Sequence, residues 1–129
     1  MNILVTGGAG GVGSNLVERL FKDGHNVTSW DNYSAGKETN HVQGVKYQVR
    51  DTQATMRGYL KKYDLVFHLG EYSKVVPSFD EIDKAFEFNM IGSYKLLKEC
   101  VSENIPVVYA GSSTRLSYPG ELASPYAFF

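Results

Sequence analysis

The chain has 129 residues and a formal net charge of −1, enough for one domain with a real core and too balanced in charge for nucleic acid to be its primary partner. Its single cysteine, Cys100, excludes an internal disulfide and fits a reducing compartment. With no charged leader before the first strand and no long apolar run, the composition predicts a soluble cytoplasmic protein with no membrane partner.

The opening stretch, Leu4-Val5-Thr6-Gly7-Gly8-Ala9-Gly10-Gly11-Val12-Gly13, organises the rest. The apolar run Ile3 to Val5 predicts a buried strand. A glycine-rich turn follows, then Ser14 to Phe21 at helical spacing. Strand, glycine turn and helix form the geometry of a dinucleotide pyrophosphate site. Gly7 allows the tight turn, Gly10 lets backbone approach phosphate, and Gly13 lets the helix pack closely on the strand. The free N–H groups of the helix N-terminus then face the anion. No Gly-Lys-Ser/Thr follows, which excludes a P-loop.

The first helix is expected from about Gly11 to Lys22, stopped by Gly24. Leu16, Val17 and Leu20 face the sheet; Glu18, Arg19, Lys22 and Asp23 face water. Asn26 to Trp30 reads as the second strand, with Asp31 at its end. There a carboxylate accepts both ribose hydroxyls and repels a 2′-phosphate, which favours NAD over NADP; the alternative is a carboxylate that caps a turn. Asn32 to Asn40 is a loop. Val45 to Val49 alternates as a third strand, closed by Asp51-Thr52, and Met56 to Lys62 reads as a short helix. Asp64 to Leu69 is a fourth, buried strand leading into Gly70. The longest helix is expected from Phe79 to about Glu103, where Ile82, Phe86, Met90, Tyr94, Leu97 and Val101 recur every three to four residues. Cys100 reads as a small core residue on that helix. Pro106 breaks the helix, and Val107 to Ala110 is the fifth strand, ending in Gly111-Ser112-Ser113-Thr114.

Strands alternating with helices demand a parallel sheet with right-handed crossovers. The fold class is therefore α/β: a three-layer, doubly wound parallel sheet of the Rossmann type, running through five strands in one domain over residues 1–129. Ligands of such sheets lie at the carboxyl ends of the strands. The polar residues gather there: the glycine turn, Asp31, Asp51, Gly70 to Ser73, and Ser112 to Thr114. His25, His41 and His68 lack metal-ligand spacing, so no metal is expected. His68, at a strand end, reads as satisfying a backbone group rather than as a catalyst.

The motifs Thr6 to Gly13, Asp31 to Lys37, Asp51, His68-Leu69-Gly70-Glu71, Phe88-Asn89-Met90-Ile91-Gly92, Tyr109 to Ser113 and Ser124-Pro125-Tyr126-Ala127 together resemble a known family. The chain is similar to the extended short-chain dehydrogenases/reductases of the NAD-dependent sugar-nucleotide epimerase/dehydratase group, and within it to the UDP-glucose 4-epimerases. The resemblance implies an NAD site built from Gly7, Gly10, Gly11, Val12 and Gly13; from Asp31, Asn32, Ser34, Ala35 and Gly36; from Asp51 and Thr52; and from Leu69, Gly70, Glu71, Ser73 and Asn89. The other reading of Glu71, with Tyr72 and Lys74, is an exposed loop residue. The likeness implies Tyr126 as general base and Ser112, with Ser113 as the alternative if the register shifts by one, as the residue bonding the reacting oxygen. Ser112 and Ser113 could instead only end a strand, and Tyr126 could be a packed aromatic.

The likeness also carries expectations about extent and function. The chain reads as the family's N-terminal part only: the lysine of Tyr-x-x-x-Lys would follow Phe129, and the part holding a nucleotide-sugar substrate is absent. Tyrosine's ordinary pKa is about 10, so a base of this kind relies on a neighbouring cation. The leading function is the NAD-binding half of a sugar-nucleotide epimerase. The alternatives are a non-catalytic NAD-binding module and a dehydratase or reductase of the same family; dehydratases carry Thr-Asp-Glu where this chain has Ser112-Ser113-Thr114. The open edge of the fifth strand and the apolar Phe128 and Phe129 predict self-association, as a homodimer or otherwise.

Overall fold

The computed structural model describes residues 1–54, 57–116 and 124–129. Five parallel strands form one sheet: β1 (Asn2–Thr6), β2 (Asn26–Asp31), β3 (Lys46–Val49), β4 (Leu65–His68) and β5 (Val107–Tyr109), in the order β3-β2-β1-β4-β5. β1 is central, with Ile3 opposite both Val27 and Leu65.

The sequence of β1 explains the layers. Ile3, Leu4 and Val5 are all buried, as a strand covered on both faces requires. Successive side chains alternate faces. Ile3 and Val5 pack with Val17 and Val27 under α1 (Gly11–Lys22). Leu4 packs with Trp30, Leu60, Tyr63, Val66, Leu96 and Cys100 on the other face. Burial raises the Cys100 thiol to about 11, as suits a core residue. The expected three-layer, doubly wound α/β fold is the one found.

α1 has the expected bounds. Gly24 adopts φ +89° just beyond it, and the Gly24 N–H donates to the Phe21 carbonyl at 3.0 Å.

Two expected elements differ. The short helix over 56–62 is not formed by its described residues: 57–62 are turns, and Met56 lies outside the described residues. Gly58 at φ +80° is incompatible with a right-handed helix there. Leu60 is nevertheless fully buried and joins the core from a turn rather than a helix.

The long helix is segmented. A 3₁₀ turn (Val76–Phe79) precedes α2 (Ile82–Ala85); a π-helical stretch (Phe86–Gly92) then leads into α3 (Ser93–Ser102). The wider π turn brings small and polar residues to the sheet: Ala85, Asn89, Gly92, Ser93, Leu96 and Cys100 are the buried ones. Five of the six residues in the apolar series used to recognise the helix face outward, and Leu97 is half-buried. Ile82, Phe86, Met90, Tyr94 and Val101 are between 41% and 78% exposed.

Tyr126 sits in a last short turn, α4 (Pro125–Phe128), which Ser124 caps by accepting from the Ala127 N–H.

Candidate functional site

A cavity of about 440 Å³ opens at the carboxyl ends of the strands. It lies across β1, where strand order reverses between β2 and β4, the position at which doubly wound sheets bind ligands. Gly7, Gly10, Gly11, Val12 and Gly13 form its floor. Gly7 adopts φ +74°, and a Cβ there would lie 2.9 Å from the backbone of Gly70. The residue thus serves both the turn and the close approach of the β4 end. At Gly13 a Cβ would lie 2.1 Å from the Gly7 carbonyl oxygen. The helix therefore presses on the turn itself, rather than on the strand as expected. Gly11 has room, whereas a Cβ on Gly10 would lie 3.3 Å from the Gly7 carbonyl oxygen; both line the cavity.

Asp31, Asn32, Ser34, Ala35 and Gly36 form the wall at the β2 end. Asp31 is only 6% exposed. Its Oδ2 accepts from the Ala9 N–H at 3.0 Å and its Oδ1 from the Tyr33 N–H at 2.8 Å. The carboxylate therefore caps a turn and faces the cavity at once. Backbone donors fix its orientation and tie the β2 loop to the glycine turn. The tie is strengthened where Lys37 N–H and Asn40 Nδ2 both donate to the Ala9 carbonyl. Thr52 lines the cavity at the β3 end. Asp51 does not line it; its oxygens accept from Asn32 Nδ2 at 3.3 Å and from Gln53 N–H at 2.9 Å.

Leu69, Gly70, Glu71 and Ser73 form the opposite wall, at the β4 end. Asn89 lies outside the lining. Its Oδ1 accepts from the Tyr72 N–H at 2.7 Å and its Nδ2 donates to the Tyr72 carbonyl at 2.9 Å, clamping the Gly70–Ser73 segment.

His68 departs from expectation. It is fully buried, and its partners are side-chain hydroxyls rather than backbone: Thr6 Oγ1 at 2.7 Å from Nδ1 and Ser93 Oγ at 2.8 Å from Nε2. Burial pushes the imidazole down to about 4, so it is neutral at neutral pH.

Ser112 and Ser113 are exposed beyond β5 and lie outside the cavity lining. Ser112 Oγ is 2.9 Å from Thr114 Oγ1. Tyr126 is half-buried, and its N–H donates to Ser78 Oγ at 3.2 Å. The structure thus gives Ser112 and Tyr126 different partners and does not join them to each other. The segment between them, 117–123, lies outside the described residues.

Thr6, Trp30, Arg50, Phe88 and Ala110 also line the cavity and were not among the site residues read from the sequence. Thr6, Arg50 and Ala110 sit at or just past strand ends, so the positional rule already marked them. The Arg50 guanidinium lies 4.6 Å from the Trp30 ring centroid and 3.9 Å from that of Tyr59, contacts that strand reading does not reveal. Among the described residues no acidic, histidine or cysteine cluster could hold a metal, and no helix is long and apolar enough to cross a membrane.

Fold and cavity together define a dinucleotide-binding type of doubly wound domain. The model of the NAD dependent epimerase/dehydratase family matches residues 3–125, and the chain belongs to that family. It is 31% identical to a UDP-glucose 4-epimerase of Mycolicibacterium smegmatis over 98% of this chain and 47% of that protein. It is also 31% identical to a UDP-N-acetyl-alpha-D-glucosaminuronate decarboxylase of Bacillus cytotoxicus, over 85% of this chain and 36% of that protein. The crystal structure of a Thermus thermophilus UDP-glucose 4-epimerase in complex with NAD superposes with a TM-score of 0.85 at 28% identity, covering 99% of this chain and 47% of that one. This coverage corrects the expectation of an N-terminal part only, because the likeness runs through almost the entire chain. The chain spans less than half the length of these relatives.

Proposed function

We propose that this chain binds NAD in the cavity and that the protein carries out oxidation–reduction at a carbon of a nucleotide sugar, as a 4-epimerase does. The observation that carries the reading is the buried Asp31 carboxylate, preset by two backbone donors, on the wall of a glycine-floored cavity at the switch point. The residues fit a dinucleotide. The floor offers helix N-terminal N–H groups to a pyrophosphate, and Asp31 offers acceptors to a ribose. When bound, NAD supplies the hydride acceptor. Tyr126 would take the proton of the sugar hydroxyl and Ser112 would hydrogen-bond the reacting oxygen. The likeness to UDP-glucose 4-epimerases and to a UDP-N-acetyl-alpha-D-glucosaminuronate decarboxylase supports a UDP-linked sugar as substrate.

Self-association belongs to the same proposal. The outward stripe on α2, the π turn and α3 is apolar, and β5 forms a sheet edge on which Val108 and Tyr109 are about half exposed.

Calorimetric titration tests the cofactor reading. NAD should bind at least tenfold more tightly than NADP, and Asp31→Ala should narrow that gap; equal or tighter binding of NADP by the unaltered chain would overturn it. For the chemistry, in a chain of the relatives' full length, Tyr126→Phe should lower interconversion of UDP-glucose and UDP-galactose by ~10²–10⁴-fold. Unchanged turnover in that variant would remove Tyr126 from its role.

A further inference from the structure

The β4 end of the cavity holds a carboxylate, Glu71, at the end of a hydrogen-bond chain whose direction is fixed. Thr6 Oγ1 accepts from the N–H groups of Leu69 and Gly70 at 3.2 and 3.0 Å. Both lone pairs are then engaged, so its proton points to His68 Nδ1. The neutral imidazole therefore carries its hydrogen on Nε2, which donates to Ser93 Oγ at 2.8 Å. Ser93 in turn donates to Glu71 Oε1 at 2.5 Å, and Tyr109 donates to the same oxygen at 2.9 Å. Nε2 lies 3.8 Å from Glu71 Oε1, so Ser93 is the bridge between imidazole and carboxylate. The chain thus ends with two donors, Ser93 and Tyr109, on Glu71 Oε1, an arrangement that suits a carboxylate acceptor. The Glu71 side chain is 16% exposed, where charge is screened far less than at a surface.

Asp31 marks the adenosine end of a dinucleotide crossing this cavity, and the glycine floor marks its pyrophosphate. The nicotinamide half then falls at the β4–β5 end, beside Glu71 and Ala110. The nicotinamide ring is cationic when oxidised and neutral when reduced. We propose that Glu71 makes the site selective for the redox state of its cofactor, holding NAD⁺ more tightly than NADH through the charge of its carboxylate. This rests on the NAD reading above and adds to it a preference between the two forms.

Isothermal titration of the 129-residue chain with NAD⁺ and with NADH at neutral pH tests it. The wild type should bind NAD⁺ at least tenfold more tightly. Glu71→Gln, which keeps an acceptor and loses the charge, should reduce that ratio at least fivefold. Tyr109→Phe, which removes one donor and keeps the charge, should leave it within twofold. Wild-type binding of NADH as tight as that of NAD⁺ overturns the proposal without any variant. So does a ratio unaltered in Glu71→Gln, or one altered equally by Tyr109→Phe. If neither form binds, the NAD reading falls and this proposal with it, whereas binding of both forms without the preference removes only the role of Glu71.

Discussion

His68 has its titration set by where it is buried. Its pKa, held at about 4 by desolvation, lies below the ordinary value of about 6.5. Between those two pH values the unfolded chain binds a proton that the folded chain does not, so stability rises with pH across that window and is lost as pH falls from 6.5 towards 4. The loss approaches roughly 3 kcal/mol at about 1.4 kcal/mol per pH unit. Chemical denaturation at intervals from pH 7 to 4 should show the slope, and His68→Gln should flatten it; an unchanged slope in that variant would mean that other groups carry it. The glycines of the turn divide in the same physical way. Gly13→Ala forces a methyl to 2.1 Å from the Gly7 carbonyl and should cost about 1–3 kcal/mol. A methyl on Gly11 would meet nothing within 4 Å, so Gly11→Ala should stay within about 1 kcal/mol of wild type. Paired thermal melts of the two variants would check the contrast.

The segmented helix marks where reading by pattern stops. Its existence was legible, because apolar residues every three to four positions do form a helix, but spacing alone does not say which face meets the sheet. The π turn approaches the segment after β3 closely because Gly92 is small: a Cβ on Gly92 would lie 2.4 Å from Thr52 Oγ1. Asn89 is turned inward by its two bonds to Tyr72, so the π turn answers a partner 17 residues away that no local window includes. β1, by contrast, was legible to within one residue at each end, since three consecutive aliphatics running into a glycine turn fit a strand covered on both sides. The candidate site divides likewise. Strand-end positions located the cavity, whereas the clamp by Asn89 and the hydroxyl partners of His68 depend on contacts made after the chain has folded. The outward stripe yields a prediction at this scale. Met90→Glu with Tyr94→Glu alters surface positions, so stability should change by no more than about 1 kcal/mol. If the stripe is where two copies meet, sedimentation of the double variant should shift to a monomer. A wild type that is already monomeric across a wide concentration range would remove this face from the proposal.

At the scale of the molecule, two loops and two sheet halves converge on one cavity, and a ligand that fills it should hold them together. Asp31 ties the β2 loop to the glycine turn through Ala9, while Thr6 ties the end of β1 to Leu69 and Gly70 beyond β4. A dinucleotide spanning the cavity would touch all four segments in the folded chain and none of them together in the unfolded one. Binding to the folded state alone stabilises by about 2.7 kcal/mol when the ligand is at 100 times its Kd. For a domain of this length that corresponds to a rise in Tm on the order of 10 °C. NAD should produce such a rise and NADP at equal concentration a smaller one, because its 2′-phosphate meets the Asp31 carboxylate. Asp31→Ala should shrink the rise with NAD and bring the two cofactors together. The same variant should lower the melting point without ligand as well, since the Ala9 and Tyr33 N–H groups lose their acceptor. The difference between ligand-bound and ligand-free midpoints, rather than either midpoint alone, therefore isolates the ribose contact. A cofactor-induced rise as large in Asp31→Ala as in the wild type would show that Asp31 secures its own loop and leaves the choice of cofactor to other residues.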